Sequence, residues 1–357
     1  MSGAPTGTPP KTARLDSLTS LRWLAALLVF AHHIVPLFPA GSLGWVDTYI
    51  CDPGSVGVSF FLMLSGFVIT WVRRSDDTVK GFWTRRFARI YPSVWLTWLI
   101  ALPLAETLLG VVMQFFLVQA WIPDSSVRRQ MNSVTWALSV EVFFYAVYPF
   151  LSPRIRPSWS ERPWLLLGGL TALIVTVQVT LTQMATGSVG HTAEWLGNTF
   201  PPVRFLEFLF GCALALCFAK LPRIPLWPAL IASFAAMMLA GLTVRPFLNV
   251  VPTLIPFALT IVAAAQRDLA GKEGGVRRPW LLWLGGLSYA FFLLHNLMIS
   301  YIRRWGYEAD SVAEGIAMSC VVMGIGIALA WAMTKYFENP SERWVRRRLT
   351  PRPQANP

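Results

Sequence analysis

Leu21-Arg22-Trp23-Leu24-Ala25-Ala26-Leu27-Leu28-Val29-Phe30-Ala31-His32-His33-Ile34-Val35-Pro36-Leu37-Phe38 is apolar apart from one arginine and two histidines. Its length suits a membrane-crossing helix, which takes about 20 mostly apolar residues. Arg22 and His33 are eleven residues apart. A helix therefore puts them on one face, about three turns and roughly 16 Å from each other. Ionisable side chains at such depth cost a few kcal/mol and turn toward a protein interior or a water-filled cavity, which makes them site candidates. The competing reading is an arginine and a histidine that each reach for a headgroup level.

The rest of the chain agrees with a membrane setting. It is 55% hydrophobic and 13% charged, with mean hydropathy +0.52, where a soluble domain carries about 25% charge. The net charge of +12 raises nucleic acid as a partner, but the basic residues cluster between apolar stretches, as the positive-inside rule explains. No nucleic-acid partner is expected. The four cysteines show neither a disulfide framework nor metal-ligand spacing, and no P-loop is present. The expectation is an enzyme or transporter without metal or bound cofactor.

Apolar stretches near 20–38, 56–72, 90–105, 134–151, 163–183, 203–219, 226–243, 248–265, 280–301 and 312–334 are each long enough to cross. A further stretch, 107–122, contains Gln114 and Gln119 and is short for a span. If it re-enters and leaves on the same side, 23 Lys and Arg face the cytoplasm and 6 the outside; if it crosses, the split becomes 14 against 15. The positive-inside rule selects the first arrangement. The expected fold is all-α and polytopic, about ten transmembrane helices with one re-entrant or partial segment near 107–122. Both termini lie in the cytoplasm and the protein sits in the plasma membrane. Residues 1–18 read as a disordered cytoplasmic tail, 19–345 as the membrane domain, and 346–357 as a basic tail suited to the inner leaflet.

The chemistry-bearing residues are few. Arg86 and Arg89, one turn apart, form a basic pair at the entrance of the third span, suited to forked phosphate binding or to anionic lipid. Glu141 is the sole carboxylate of the fourth span, with Tyr145 four residues on and able to hydrogen-bond it. Ser65-Gly66 is a small pair that permits close helix approach. Arg204 and Glu207 read as a structural ion pair, and Glu338 as a partner for a neighbouring base or a headgroup-level residue. His295 in the ninth span is either a packing residue or a site residue. Together these offer an intramembrane histidine base, a carboxylate and an arginine-lined mouth. A histidine base can take the proton of a hydroxyl as its oxygen attacks a thioester, while arginines hold an anionic carrier.

Several motifs stand in an order that resembles the acyltransferase 3 family of membrane O-acyltransferases. They are Arg22 with His33, Ser59 to Phe67, the Arg86-Phe87-Ala88-Arg89 pair, Trp136 to Tyr145, Tyr289 to His295, and Phe337-Glu338-Asn339-Pro340. The resemblance spans roughly 18 to 345. It implies a ten-helix fold and transfer of an acetyl or other short acyl group from acyl-CoA to a hydroxyl of a saccharide or a glycosylated or secondary metabolite. In that reading His33 is the catalytic base and Glu141 belongs to the reaction centre. Arg86 and Arg89 hold the donor, and Arg22, Tyr145 and His295 complete the substrate site. The adjacent His32 points about 100° away, so helical spacing favours His33. A proton-coupled exporter using Glu141, His33 and His295 as a relay is the alternative from another class.

Overall fold

The computed structural model describes residues 14–73, 77–154, 157–185, 190–242 and 250–349, and no strand occurs among them. Fourteen α-helices follow one another among these residues. The first half contains α1 (Asp16–Ile34), α2 (Gly57–Trp71), α3 (Val79–Ala101), α4 (Leu108–Phe115), α5 (Ser125–Arg129), α6 (Trp136–Leu151) and α7 (Pro163–Met184). The second contains α8 (Gly190–Asn198), α9 (Pro201–Cys217), α10 (Leu226–Ala240), α11 (Val250–Leu269), α12 (Pro279–Arg304), α13 (Val312–Met333) and α14 (Asn339–Leu349).

Nine helical stretches among the described residues are long and apolar enough to cross a bilayer. The protein is an all-α, multi-pass membrane protein. The expected tenth span corresponds to α10, whose 15 residues reach only about 22 Å at 1.5 Å per residue. The stretch that follows it, 243–249, lies outside the described residues, as do 1–13 and 350–357 of the two expected tails. Helix α1 already begins at Asp16, and α14 carries helix through Leu349.

The segment at 107–122 is α4 and a single tight turn at Gln119–Trp121. Its eight-residue helix covers about 12 Å, too little to cross. Thr107 caps it by accepting the Gly110 N–H at 3.1 Å. The chain then turns at Leu117, whose φ is +54°. The polar residues that set this segment apart in the sequence anchor it. Gln114 donates to the Gln130 carbonyl, and Gln119 donates to Thr135 Oγ1 at 3.1 Å. Trp95 and Trp98 of α3 donate to the carbonyls of Phe115 and Val111 at 3.2 and 3.0 Å. Backbone groups that a helix would satisfy internally thus find side-chain partners, as irregular backbone near a membrane requires.

Helices α1 and α2 form a spine between two buried clusters. One joins Trp23, Ala26 and Phe30 of α1 to residues of α3, α6, α12 and α13. The other joins Leu18, Leu21 and Ala25 to α2 and α9–α11. Small residues let this spine pack tightly. A Cβ on Gly66 would run into the Phe208 carbonyl of α9, and one on Gly211 into the Met63 carbonyl of α2. Between apolar helices in lipid, such backbone approach supplies the van der Waals contact that water cannot drive. Ser65-Gly66 plays the packing part read from its sequence. Gly285 does the same for α12 against Thr19 of α1.

Candidate active site

Polar residues gather at both ends of the spine. At one end, a cavity of about 360 Å³ lies between α1, α2, α3, α6, α12 and α14. Five guanidinium groups line it, those of Arg22, Arg85, Arg86, Arg89 and Arg346, together with Glu141 and Glu342. Arg86 lays its guanidinium over the rings of Phe82 and Tyr145, each 5.5 Å from the centroid. Neither Arg22 nor Arg86 has a carboxylate within ion-pair distance among the described residues. Arg89, one turn from Arg86, is paired with Glu338 and, at 3.5 Å, with Glu342, and lies over the Tyr289 ring. Arg85 pairs with Asp77 at 2.6 Å.

Glu141 borders this cavity and lies next to Tyr145 and Ser65. The two hydroxyls are 3.1 Å from each other. Tyr145 thus meets Glu141 as its spacing implied, with Ser65 added from α2. The expected ion pair of Arg204 and Glu207 is present at 2.7 Å and buried, with Arg204 also donating to Ser59 Oγ at 3.0 Å. Glu338, left open between a base partner and a headgroup position, takes the base.

At the other end of the spine, a second cavity of about 440 Å³ contains His32, His33, Ser59, Ser133 and Trp136 in its walls. Charged residues also line it, Asp52, Arg129, Glu194 and Arg204. His33 Nδ1 donates to the Val29 carbonyl at 2.8 Å. His32 turns elsewhere, its Nδ1 3.2 Å from the Cys51 carbonyl. His295 is fully buried beside His33, with its Nε2 3.3 Å from His33 Nδ1, and borders neither cavity.

The structure therefore brings Arg22, Arg86, Arg89, Glu141 and Tyr145 into one cavity and His33 into another, with Val58 of α2 in both walls. Ser65, Tyr289, Glu342 and Arg346 were not read as site residues from the sequence. Of these, Glu342 and Arg346 carried a signal, the i,i+4 spacing of an ion pair that the structure contains. Ser65 and Tyr289 lie within motifs of the resemblance, but nothing local gave them a role at the cavity, since their neighbours come from other helices.

An all-α membrane protein with one arginine-rich cavity and one histidine-walled cavity fits an enzyme or a transporter by its geometry alone. Comparison with known proteins decides between them. The acyltransferase domain profile of the acyltransferase 3 family matches residues 15–335, and the chain belongs to that family. It is 35% identical to the acyltransferase MdmB of Streptomyces mycarofaciens over 374 aligned positions, covering 95% of each chain. It is 27% identical to the peptidoglycan O-acetyltransferase OatA of Listeria monocytogenes over 225 positions, which are 56% of this chain and 33% of that one. No solved structure matches. The chain is a membrane O-acyltransferase.

Proposed function

We propose that the enzyme moves an acetyl or other short acyl group from acyl-CoA to a hydroxyl of a saccharide or a glycosylated or secondary metabolite. The reading is carried by two unlike cavities that share Val58 as a wall residue, one rich in arginine and the other walled by His33 and Trp136. An acyl-CoA has that division of character: several phosphates at one end and a slender arm ending in a thioester at the other. Arg22 and Arg86, with no carboxylate within ion-pair distance among the described residues, are suited to its phosphates. The excess of basic residues puts that cavity on the cytoplasmic side, where both termini then lie, in a protein of the plasma membrane. The histidine cavity opens to the opposite face and receives the acceptor.

In the reaction, His33 Nε2 takes the acceptor's hydroxyl proton as its oxygen bonds to the thioester carbon. Collapse of the tetrahedral intermediate breaks the C–S bond, and the protonated His33 returns the proton to the leaving sulfur. Glu141, beside Arg22 and Arg86, balances their charge deep in the donor cavity. A saccharide acceptor is supported by a relative whose name specifies peptidoglycan O-acetylation and by Trp136, an apolar face of the kind sugar rings lie against. The test is transfer of labelled acetyl from acetyl-CoA to a panel of glycosides by the protein in lipid vesicles. His33→Ala is expected to lower kcat by at least about 100-fold, the usual worth of a general base, while the protein inserts and unfolds as before. Turnover near the parent level would remove His33 from the mechanism. Substrate moving into vesicles without gaining an acyl mass would favour export instead.

A further inference from the structure

We infer that His295 is a positioning residue that fixes the tautomer of His33 and receives the hydrogen bond of its protonated ring; the inference rests on the proposed role of His33 as base. His295 is fully buried and lines neither cavity, so it does not touch substrate. Its contacts are nonetheless specific. Its Nδ1 lies 3.0 Å from the Phe291 carbonyl, one helical turn back on α12. A carbonyl only accepts, so that nitrogen carries the hydrogen and Nε2 is left with the lone pair. His295 Nε2 in turn lies 3.3 Å from His33 Nδ1. His33 Nδ1 also faces the Val29 carbonyl at 2.8 Å.

Both neighbours of His33 Nδ1 are thus acceptors, and that nitrogen must hold the hydrogen. The lone pair of His33 is confined to Nε2, the atom left free for an acceptor hydroxyl. When Nε2 takes a proton, the positive ring still shares its one Nδ1–H between the Val29 carbonyl and a neutral imidazole. A carboxylate performs this service in the hydrolase triads, holding tautomer and orientation and stabilising the imidazolium. Here the partner carries no charge, which avoids burying a second ion in lipid depth. Aromatic rings lock the arrangement. Phe291 stacks on His295 at 5.5 Å between centroids, while Phe30 and Phe292 pack at 6.0 Å. Spacing alone does not pair these histidines, which are 262 residues apart; the sequence grouped them only as members of one site or relay.

Two measurements test the assignment in the full-length protein in lipid. Solid-state nitrogen NMR of histidine-labelled protein, with the two rings assigned through their mutual coupling, should find both protonated on Nδ1 and bare on Nε2 at neutral pH. A hydrogen on Nε2 of either ring overturns the proposal, and no variant has to fold for that result. Kinetics come second. His295→Leu is expected to lower kcat about 100-fold while the KM values for acetyl-CoA and acceptor stay within twofold. His295→Gln, which can still present an acceptor to His33, should recover at least tenfold of the loss. A loss expressed in KM alone, or equal losses in both variants, overturns it. His33→Ala measured in parallel separates the readings: if that variant stays active, the base assignment itself is wrong, whereas an inactive His33→Ala beside a fully active His295→Leu refutes only the pairing.

Discussion

Arg86 rests its guanidinium on two aromatic faces with no carboxylate partner among the described residues, while Arg89, a turn further along α3, is held by Glu338 and Glu342. Their shared spacing gave them one expected role; their surroundings give them two. A phosphate arriving in the cavity meets Arg86 uncommitted, whereas it must compete with two carboxylates for Arg89. The planar fork matters at a stacked site, so a lysine there keeps the charge but loses both the second hydrogen bond and the ring contact. Arg86→Lys is therefore expected to raise the KM for acetyl-CoA about tenfold with little change in kcat, since one charge-assisted hydrogen bond is worth roughly 1.5 kcal/mol. Steady-state kinetics with the donor varied at saturating acceptor reads this directly. An unchanged KM would take Arg86 out of donor binding.

Among elements, α14 shows most clearly where sequence stops being informative. Its Arg346-Arg347-Arg348 run reads as a lipid anchor, and nothing local shows that Glu342 and the preceding Glu338 reach α3. The link joins residues 249 and 253 positions apart. The spans themselves were legible because each must cover the hydrocarbon with apolar residues, a constraint every window of the chain reports. The partial segment was legible for the opposite reason, its glutamines and short length marking it as unfit to cross. The Arg22 and His33 face followed from helical period alone. Helix-to-helix partnerships such as Arg89 with Glu338, or Ser65 with Tyr145, depend on how spans pack and have no signature of their own. The Arg89 link makes α14 a strap across the arginine cavity. Glu338 has only 2% of its side chain exposed, so Arg89→Met leaves a buried carboxylate unpaired. That loss costs about 3 kcal/mol, the low end for buried pairs, because Arg89 is itself 34% exposed and partly screened. Arg89→Met with Glu338→Met removes both charges and is expected to restore most of the thermal stability lost in the single variant. Unfolding midpoints in detergent give the comparison, and strictly additive losses would show that the two residues are not coupled.

For the whole molecule, the direction of every span after α3 depends on whether 107–122 crosses. Helix α4 is eight residues long, and the chain reverses within a few residues of it, so the segment enters and leaves on one side. That geometry and the 23-to-6 distribution of basic residues support each other without sharing an assumption, one resting on length and the other on charge. In the proposed topology the arginine cavity faces inside and the histidine cavity outside, which the proposed division between donor and acceptor requires. Glu106 and Ser125 bracket the segment and are both exposed. Single cysteines at these positions belong in a background with Cys320, the exposed native thiol, changed to alanine. Both are expected to react with a membrane-impermeant maleimide added outside intact cells. Labelling of one from outside and the other only after lysis would mean that the segment crosses. It would then invert every later span, move α14 to the outside, and separate the arginines of α1 and α3 from the strap that the structure closes over them.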